Sequence, residues 1–353
     1  MSATRRRRAA YPGPVPDLTA PTDLPDLPDL LADAHVVALP MRVRFRGVDV
    51  REAVLLRGPH GWAEWAPFQE YADRDAARWL AAAVELGWGE LPEPVRGQVG
   101  VNATVPAVPA GQVEGVLGRY DRCRTVKVKV AERGQTLGDD LERVIEVRRV
   151  LGADGRIRVD ANGAWSVDEA REALSVLASV GLEYAEQPCA TVEELVVLRL
   201  ALARASVDLP IAADESIRRA EDPLRVAREG AADLVVVKVA PLGGVRRALE
   251  IVAEAGLPAV VSSALDTSVG IAGGVRLAAA LPELDHDCGL GTAALLADDV
   301  VGEPLMPRAG SLTTVRADAA RCAVDPALLA AHAAPAERVT WWRQRLARTY
   351  ALL

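Results

Sequence analysis

Five short strand-like runs recur through the middle of the chain at nearly even intervals, and each of them ends in charged residues. The first, at 125–130, carries Lys127 and Lys129 two residues apart. The others are Arg158-Val159-Asp160-Ala161-Asn162, Tyr184-Ala185-Glu186-Gln187-Pro188, Ala213-Asp214-Glu215-Ser216 and Val235-Val236-Val237-Lys238. From Lys129 the steps to Asp160, Glu186, Asp214 and Lys238 are 31, 26, 28 and 24 residues. Segments of helical period separate the runs. One strand with its crossover helix occupies about that length, so the repeat predicts a parallel barrel. In such a barrel the C-terminal strand ends carry the chemistry.

Strand alternation puts Lys127 and Lys129 on one face, and Arg158, Asp160 and Asn162 on one face. Asp160, Glu186 and Asp214 at neighbouring strand ends would then bring three carboxylates to one point. Unpaired, they would repel strongly, and a divalent cation relieves that. An all-oxygen ligand set favours Mg²⁺ over zinc. Lys129 and Lys238 would flank this cation. A lysine beside a second lysine and a dication has its charged form disfavoured, so it can accept a proton. A proton next to a carboxylate is a fitting target, because a metal on that carboxylate stabilises the enediolate left behind. Taken singly, Asp160 reads as a turn residue, Asp214 as a helix cap and the lysines as an exposed pair. Their joint placement at successive strand ends favours a catalytic site.

The motifs KVKV, DAN, EQP, DES and KVAPLGG, in this order and spacing, resemble the enolase superfamily, muconate-lactonising subgroup. A lysine base with Mg²⁺ and an ene-diolate is that superfamily's pattern. The resemblance implies metal ligands at Asp160, Glu186 and Asp214. It implies Lys129 as acid/base assisted by Lys127, with Lys238 facing it. Within the subgroup, PMRVRFRG, GWAEWAPFQEY and SSALDTSVG are similar to the o-succinylbenzoate synthase family. That family's members are lyases of menaquinone biosynthesis, dehydrating 2-succinyl-6-hydroxy-2,4-cyclohexadiene-1-carboxylate to 2-succinylbenzoate. By this likeness Lys129 takes the α-proton and returns it to the departing hydroxide, while Lys238 stays charged. Arg158, Asn162, Ser262 and Ser263 would contact the substrate. Arg158 could equally serve in an ion pair, and the two serines could simply end a strand. N-acylamino acid racemisation and muconate-type cycloisomerisation would use the same residues. A silent binding module would be expected to lose a ligand or a lysine, and none is missing.

The fold class expected is α/β: a modified TIM barrel, (β/α)7β, under an α+β capping domain. The division expected is a mobile N-terminal tail leading into a short helix over 1–30, capping elements over 31–97, the barrel over 98–300, and a segment over 301–353 returning to the cap. Barrel strands are predicted over 98–105, 125–130, 157–160, 182–186, 209–213, 234–239, 259–263 and near 284–288. Helices are predicted over 73–86, 137–151, 167–180, 192–204, 222–229 and 243–255. Residues 35–39 and 48–56 read as a hairpin around a loop at 41–47. Its Arg42, Arg44 and Arg46 share a face and could close over an anion. Gly289-Leu290-Gly291 reads as a barrel turn, His286 as a rim residue, and the pairs Trp62/Trp65 and Trp341/Trp342 as cap packing.

Asp and Glu number 49 against 41 Lys and Arg, a formal charge of −8. That leaves no basic excess for nucleic acid, so the partner expected is a small carboxylate substrate. Cys123, Cys189, Cys288 and Cys322 are scattered, which suits reduced thiols in the cytoplasm rather than zinc or disulfides. Arg5 to Arg8 precede no apolar segment, against export, and no stretch approaches a membrane span. The oligomeric state is left open.

Overall fold

The computed structural model describes residues 24–218 and 222–353. The Arg5–Arg8 block and most of the tail expected over 1–30 therefore lie outside the described residues. The short helix is Leu27–Ala32.

The cap starts with an antiparallel sheet of His35–Phe45, Val48–Gly58 and Gly61–Trp65. The loop expected at 41–47 is instead mostly strand. Pairing resumes at Phe45↔Val48, so only Arg46-Gly47 turns the chain. Both have positive φ, 53° and 76°, as a two-residue type I′ hairpin turn requires. The arginines at 42 and 44 are the polar half of a strand alternation. Helix Asp73–Trp88 packs on this sheet, and its Ala76 carbonyl accepts the Trp65 indole N–H at 3.1 Å.

Seven parallel strands follow in strict chain order: Ala103–Val105, Thr125–Lys129, Arg156–Asp160, Leu182–Glu186, Ile211–Ala213, Leu234–Val237 and Ala259–Val261. Consecutive order with helical crossovers is the barrel topology. Three crossover helices, Leu137–Leu151, Val167–Leu177 and Val192–Arg204, begin with the same device. In each, Thr136, Ser166 or Thr191 exchanges bonds with an acid three residues on, which satisfies two free amides.

The two ends of the barrel differ from expectation. Strand 98–105 is broken: Gln98–Gly100 pairs antiparallel with Ser311–Thr313, and only Ala103–Val105 joins the barrel. The eighth strand contracts to Cys288 and Gly289, which bridge Val101 on one side and Ser262 on the other. Their amides donate to Gly100 and Val261 at 2.7 and 2.8 Å. The helix expected over 222–229 shortens to Arg225–Arg228.

Helix Ser268–Ala280 was not anticipated, because Gly270, Gly273 and Gly274 weaken helix propensity. The structure shows why they are there. A methyl group at Gly273 would meet Leu86 Cδ1 at 2.9 Å, and one at Gly274 would meet Leu290 Cδ2 at 2.5 Å. The helix is wedged between the cap helix and the barrel wall.

The C-terminal helix Ala336–Tyr350 returns to the cap. Trp342 is fully buried, edge-on to Trp65 with ring centroids 5.4 Å apart, and its indole N–H donates to Glu52 at 2.7 Å. Buried Arg345 donates to the backbone carbonyls of Phe68 and Tyr71. Among the described residues, no helix is long and apolar enough to cross a membrane.

Candidate active site

Strand register does most of the assembly. Lys129 lies opposite Asp160, and Asp160 opposite Glu186, at the C-terminal ends of adjacent strands. Asp214 and Lys238 each follow directly on the last residue of the next two strands. All five, with Lys127, are buried.

Each carboxylate meets a lysine. Lys127 Nζ donates to both Glu186 oxygens at 2.9 and 3.0 Å and stands 3.3 Å from Asp160. Lys129 Nζ reaches Asp160 and Asn162 Oδ1, both at 2.5 Å, and stands 5.1 Å from the Phe45 ring centroid. Lys238 Nζ is 2.5 Å from Asp214.

The charge states follow from this crowding. Burial lowers the pKa of Lys129, with help from Lys127 and Arg46 and against Asp160. Burial also lowers Lys238, with Arg218 adding to it and Asp214 opposing. For Lys127 the desolvation is outweighed by Glu186 and Asp160, which raise it and keep it charged. Asp160 and Asp214 are held below the usual carboxylate range, since their lysines outweigh burial. Glu186 goes the other way, to about 7, because burial and then repulsion from Asp160 exceed what Lys127 returns.

Several members of the site were not read from the sequence. Arg218, one helical turn after Asp214, is buried and donates to Asp214 at 3.1 Å, to Glu215 and to the Tyr71 hydroxyl. Gln187, at φ 38°, accepts the amides of Asp214 and Ser216. It fixes the turn that presents Asp214. Thr104, Leu265 and Thr292 complete the wall with Ser262 and Ser263, around a free space of about 30 Å³. The Thr104 hydroxyl is buried and has no hydrogen-bond partner among the described residues. The i,i+4 spacing of Asp214 and Arg218 was the one legible signal among these.

Of the three hairpin arginines only Arg46 enters. It lies over Phe68, 3.5 Å from Glu215, whereas Arg44 pairs with Asp49 in solvent and Arg42 bonds to Ala297 O. Beyond Arg46 a second chamber of about 230 Å³ opens past Arg44 and Arg133. A wider hollow of about 630 Å³ beside Arg199 and Asp233 lies on the barrel's outside and shares none of these groups.

Arg158 takes the ion-pair alternative. It shares a face with Asp160 but sits one layer deeper, away from the cavity. Its guanidinium pairs with Glu183 at 2.5 Å, donates to Asn102 and Asp287 O, and stacks on Tyr184 at 4.8 Å. His286 supports the same network through Glu183. Arg158→Met should therefore cost about 2–3 kcal/mol of stability, as loss of one partner from a buried ion pair does. It should leave substrate KM nearly unchanged, and denaturant melts beside steady-state kinetics check both.

Among the described residues, no three His, Cys, Asp or Glu side chains are gathered as a metal cluster. The donor set nevertheless fits a hard dication. It is all carboxylate, a cationic ammonium already lies between Asp160 and Glu186, and Glu186 is left with uncompensated repulsion.

Comparison with known proteins agrees with this geometry. A family model described as enolase C-terminal domain-like matches residues 112–320, and one described as enolase N-terminal domain-like matches 36–90. The o-succinylbenzoate synthase of Mycolicibacterium smegmatis is 56% identical over 331 residues, spanning 94% of this chain and 99% of the relative. That of Mycobacterium tuberculosis is 54% identical, over 94% and 97%. Among solved structures, a muconate lactonizing enzyme from Pseudomonas fluorescens superposes with TM-score 0.71 at 24% identity, over 86% of this chain and 98% of that one. A dipeptide epimerase from Enterococcus faecalis does so with TM-score 0.63 at 21%, over 80% and 96%. Members of the family generally use a divalent metal. By both domain matches and by its relatives, the chain belongs to the enolase superfamily.

Proposed function

We propose that the protein is an o-succinylbenzoate synthase, dehydrating 2-succinyl-6-hydroxy-2,4-cyclohexadiene-1-carboxylate to 2-succinylbenzoate in menaquinone biosynthesis in the cytoplasm. The observation that carries this is a pair of lysines, Lys129 and Lys238, on opposite sides of three converging carboxylates. It is joined by near-complete alignment with relatives of that name at 53–56% identity.

Asp160, Glu186 and Asp214 would hold Mg²⁺. When bound, that ion would offset the negative charge that builds on the substrate carboxylate as the α-proton leaves. The remaining work falls to the chain. Lys129, whose ammonium form burial disfavours, takes the α-proton. It then gives that proton to the departing hydroxide, so one amine acts as base and then as acid. Lys127 stays charged against Glu186 and Asp160 and keeps Lys129 from holding its proton too tightly. Lys238 faces the ring as a cation, held by Asp214. Asn162 orients the Lys129 amine.

Charge counting supports a dicarboxylate. With Lys129 neutral as the base, Lys127, Lys238, Arg218 and Arg46 balance Asp160, Glu186, Asp214 and Glu215, so the two positive charges that a dication would add are left for the substrate's two carboxylates. Ser262 and Ser263 line the wall where the succinyl arm would rest.

The lowering of both Lys129 and Lys238 also suits a second reading, racemisation of N-acylamino acids with one base on each face. The test mixes purified protein and Mg²⁺ with the cyclohexadiene and follows its conversion to the aromatic product. Turnover is the expected result. No turnover, together with α-proton exchange of N-succinyl amino acids in D₂O, would replace the synthase by the racemase.

A further inference from the structure

The loop that leaves the seventh barrel strand forms one wall of the cavity through Ser262, Ser263, Ala264 and Leu265. Leu265 sits at φ 61°, a conformation a leucine adopts only when its surroundings impose it. The restraint comes from the other domain. Arg51, on cap strand Val48–Gly58, is 3% exposed. Its Nε donates to Leu265 O at 3.0 Å, and its Nη2 donates to Ala264 O at 3.3 Å and to Ala66 O. The guanidinium lies 4.7 Å from the Phe68 ring centroid.

Two buried acids flank it. Glu64, from cap strand Gly61–Trp65, accepts the Thr267 amide at 2.9 Å and the Thr267 hydroxyl. Asp266 accepts the Ala264 amide at 3.1 Å. Burial and the neighbouring Asp266 push the Glu64 carboxyl up to about 8, so near neutrality it keeps its proton. Burial raises the Asp266 carboxyl as well, so Arg51 is not met by two full negative charges. Every residue from Ala264 to Thr267 is thus tied, through backbone or side chain, to this cluster. None of the cluster belongs to the lysine–carboxylate machinery.

We propose that Arg51 is a positioning residue: it holds the 263–266 wall, from across the domain boundary, in the form that closes on the non-reacting arm of the substrate, and so governs affinity and substrate choice without touching the substrate. The proposal rests on the dehydratase reading above for the identity of that arm. A fork of donors is what the task demands, since three carbonyls on two segments must be held at once, and an ammonium cannot span them.

The experiment compares wild type with Arg51→Lys, which keeps the charge and loses the fork. The double variant Arg51→Met/Asp266→Asn serves beside it, removing the charge without stranding a buried partner. Steady-state kinetics on the cyclohexadiene are read with calorimetric binding of 2-succinylbenzoate and of benzoate, which lacks the arm. The expected result is a KM raised about tenfold with kcat within about threefold. 2-Succinylbenzoate should weaken by about the same factor, with benzoate and Mg²⁺ affinity unchanged. An unchanged KM in both variants overturns the inference, as does an equal loss of benzoate and 2-succinylbenzoate, or a fall in kcat at constant KM. Wild type that turns over nothing would sink the functional reading instead. Active wild type with insensitive variants sinks this inference alone.

Discussion

Lys129→Ala is expected to lower kcat by at least about 10³-fold, because the amine acts twice in one turnover and general acid–base steps contribute about 10²–10⁴-fold each. Neither neighbour can replace it. Lys127 is committed to Glu186 and held charged, and Lys238 is held by Asp214. Substrate affinity should change much less, since the carboxylates remain. Removal of the amine also leaves Asp160 with Lys127 as its nearest cation, so Mg²⁺ binding should persist or tighten. Metal removal separates the two contributions. A chelator should arrest wild type, with activity returning on adding Mg²⁺, whereas nothing added should restore Lys129→Ala. Single-turnover kinetics with and without chelator read both arms, and residual activity within tenfold of wild type would remove Lys129 from its role.

Trp342→Ala should destabilise the protein by about 3–5 kcal/mol, the range for truncating a buried large aromatic. The ring is fully enclosed and edge-on to Trp65, so deletion opens a cavity between the C-terminal helix and the cap sheet. It also strips Glu52 of one donor, leaving it to Arg338 and Gln69. Burial raises the Glu52 pKa, but the bonds from Arg338 and Trp342 outweigh it, and the net direction is down. The stability Glu52 contributes is therefore present above the usual carboxylate range and is lost as pH falls through its depressed value. The variant should lose part of that acid dependence. Urea melts at neutral and acidic pH measure it, and a change below about 1 kcal/mol would mean that the helix is seated by other contacts.

The barrel's middle was legible in the sequence because its information is local. Each strand end is a β-branched run closed by a charged residue, and parity then sets which side chains face inward. The span Leu182–Glu186 and the helices Leu137–Leu151 and Val192–Arg204 follow from pattern alone. The departures occur where long-range pairing decides. Gln98–Gly100 leaves the barrel because Ser311–Thr313, far along the chain, offers it an antiparallel partner. The eighth strand needs only two residues because neighbours on both sides are already in place. Helix Ser268–Ala280 was hidden by glycines that its packing requires.

The site divides the same way. Parity put Arg158 on the inner face but carries no depth, and depth is what separates a residue beneath the cavity from one lining it. Arg46 could not be singled out from Arg42 and Arg44, because the tight turn that swings it inward depends on strand pairing. Arg218 and Arg51 are ordinary arginines in sequence, and only the fold shows what they hold.

The cap is assembled from opposite ends of the chain: its sheet is made first, and the helix carrying Trp342 last. On a ribosome adding roughly 5–20 residues per second, Trp65 waits on the order of tens of seconds for its partner. During that interval the catalytic strands can close while the lid above them is tied down through Arg51 and Glu64 but not yet by its last helix. A message cut short before Ala336 would therefore yield a barrel with its chemistry in place under a cap that lacks the helix packed against Trp65.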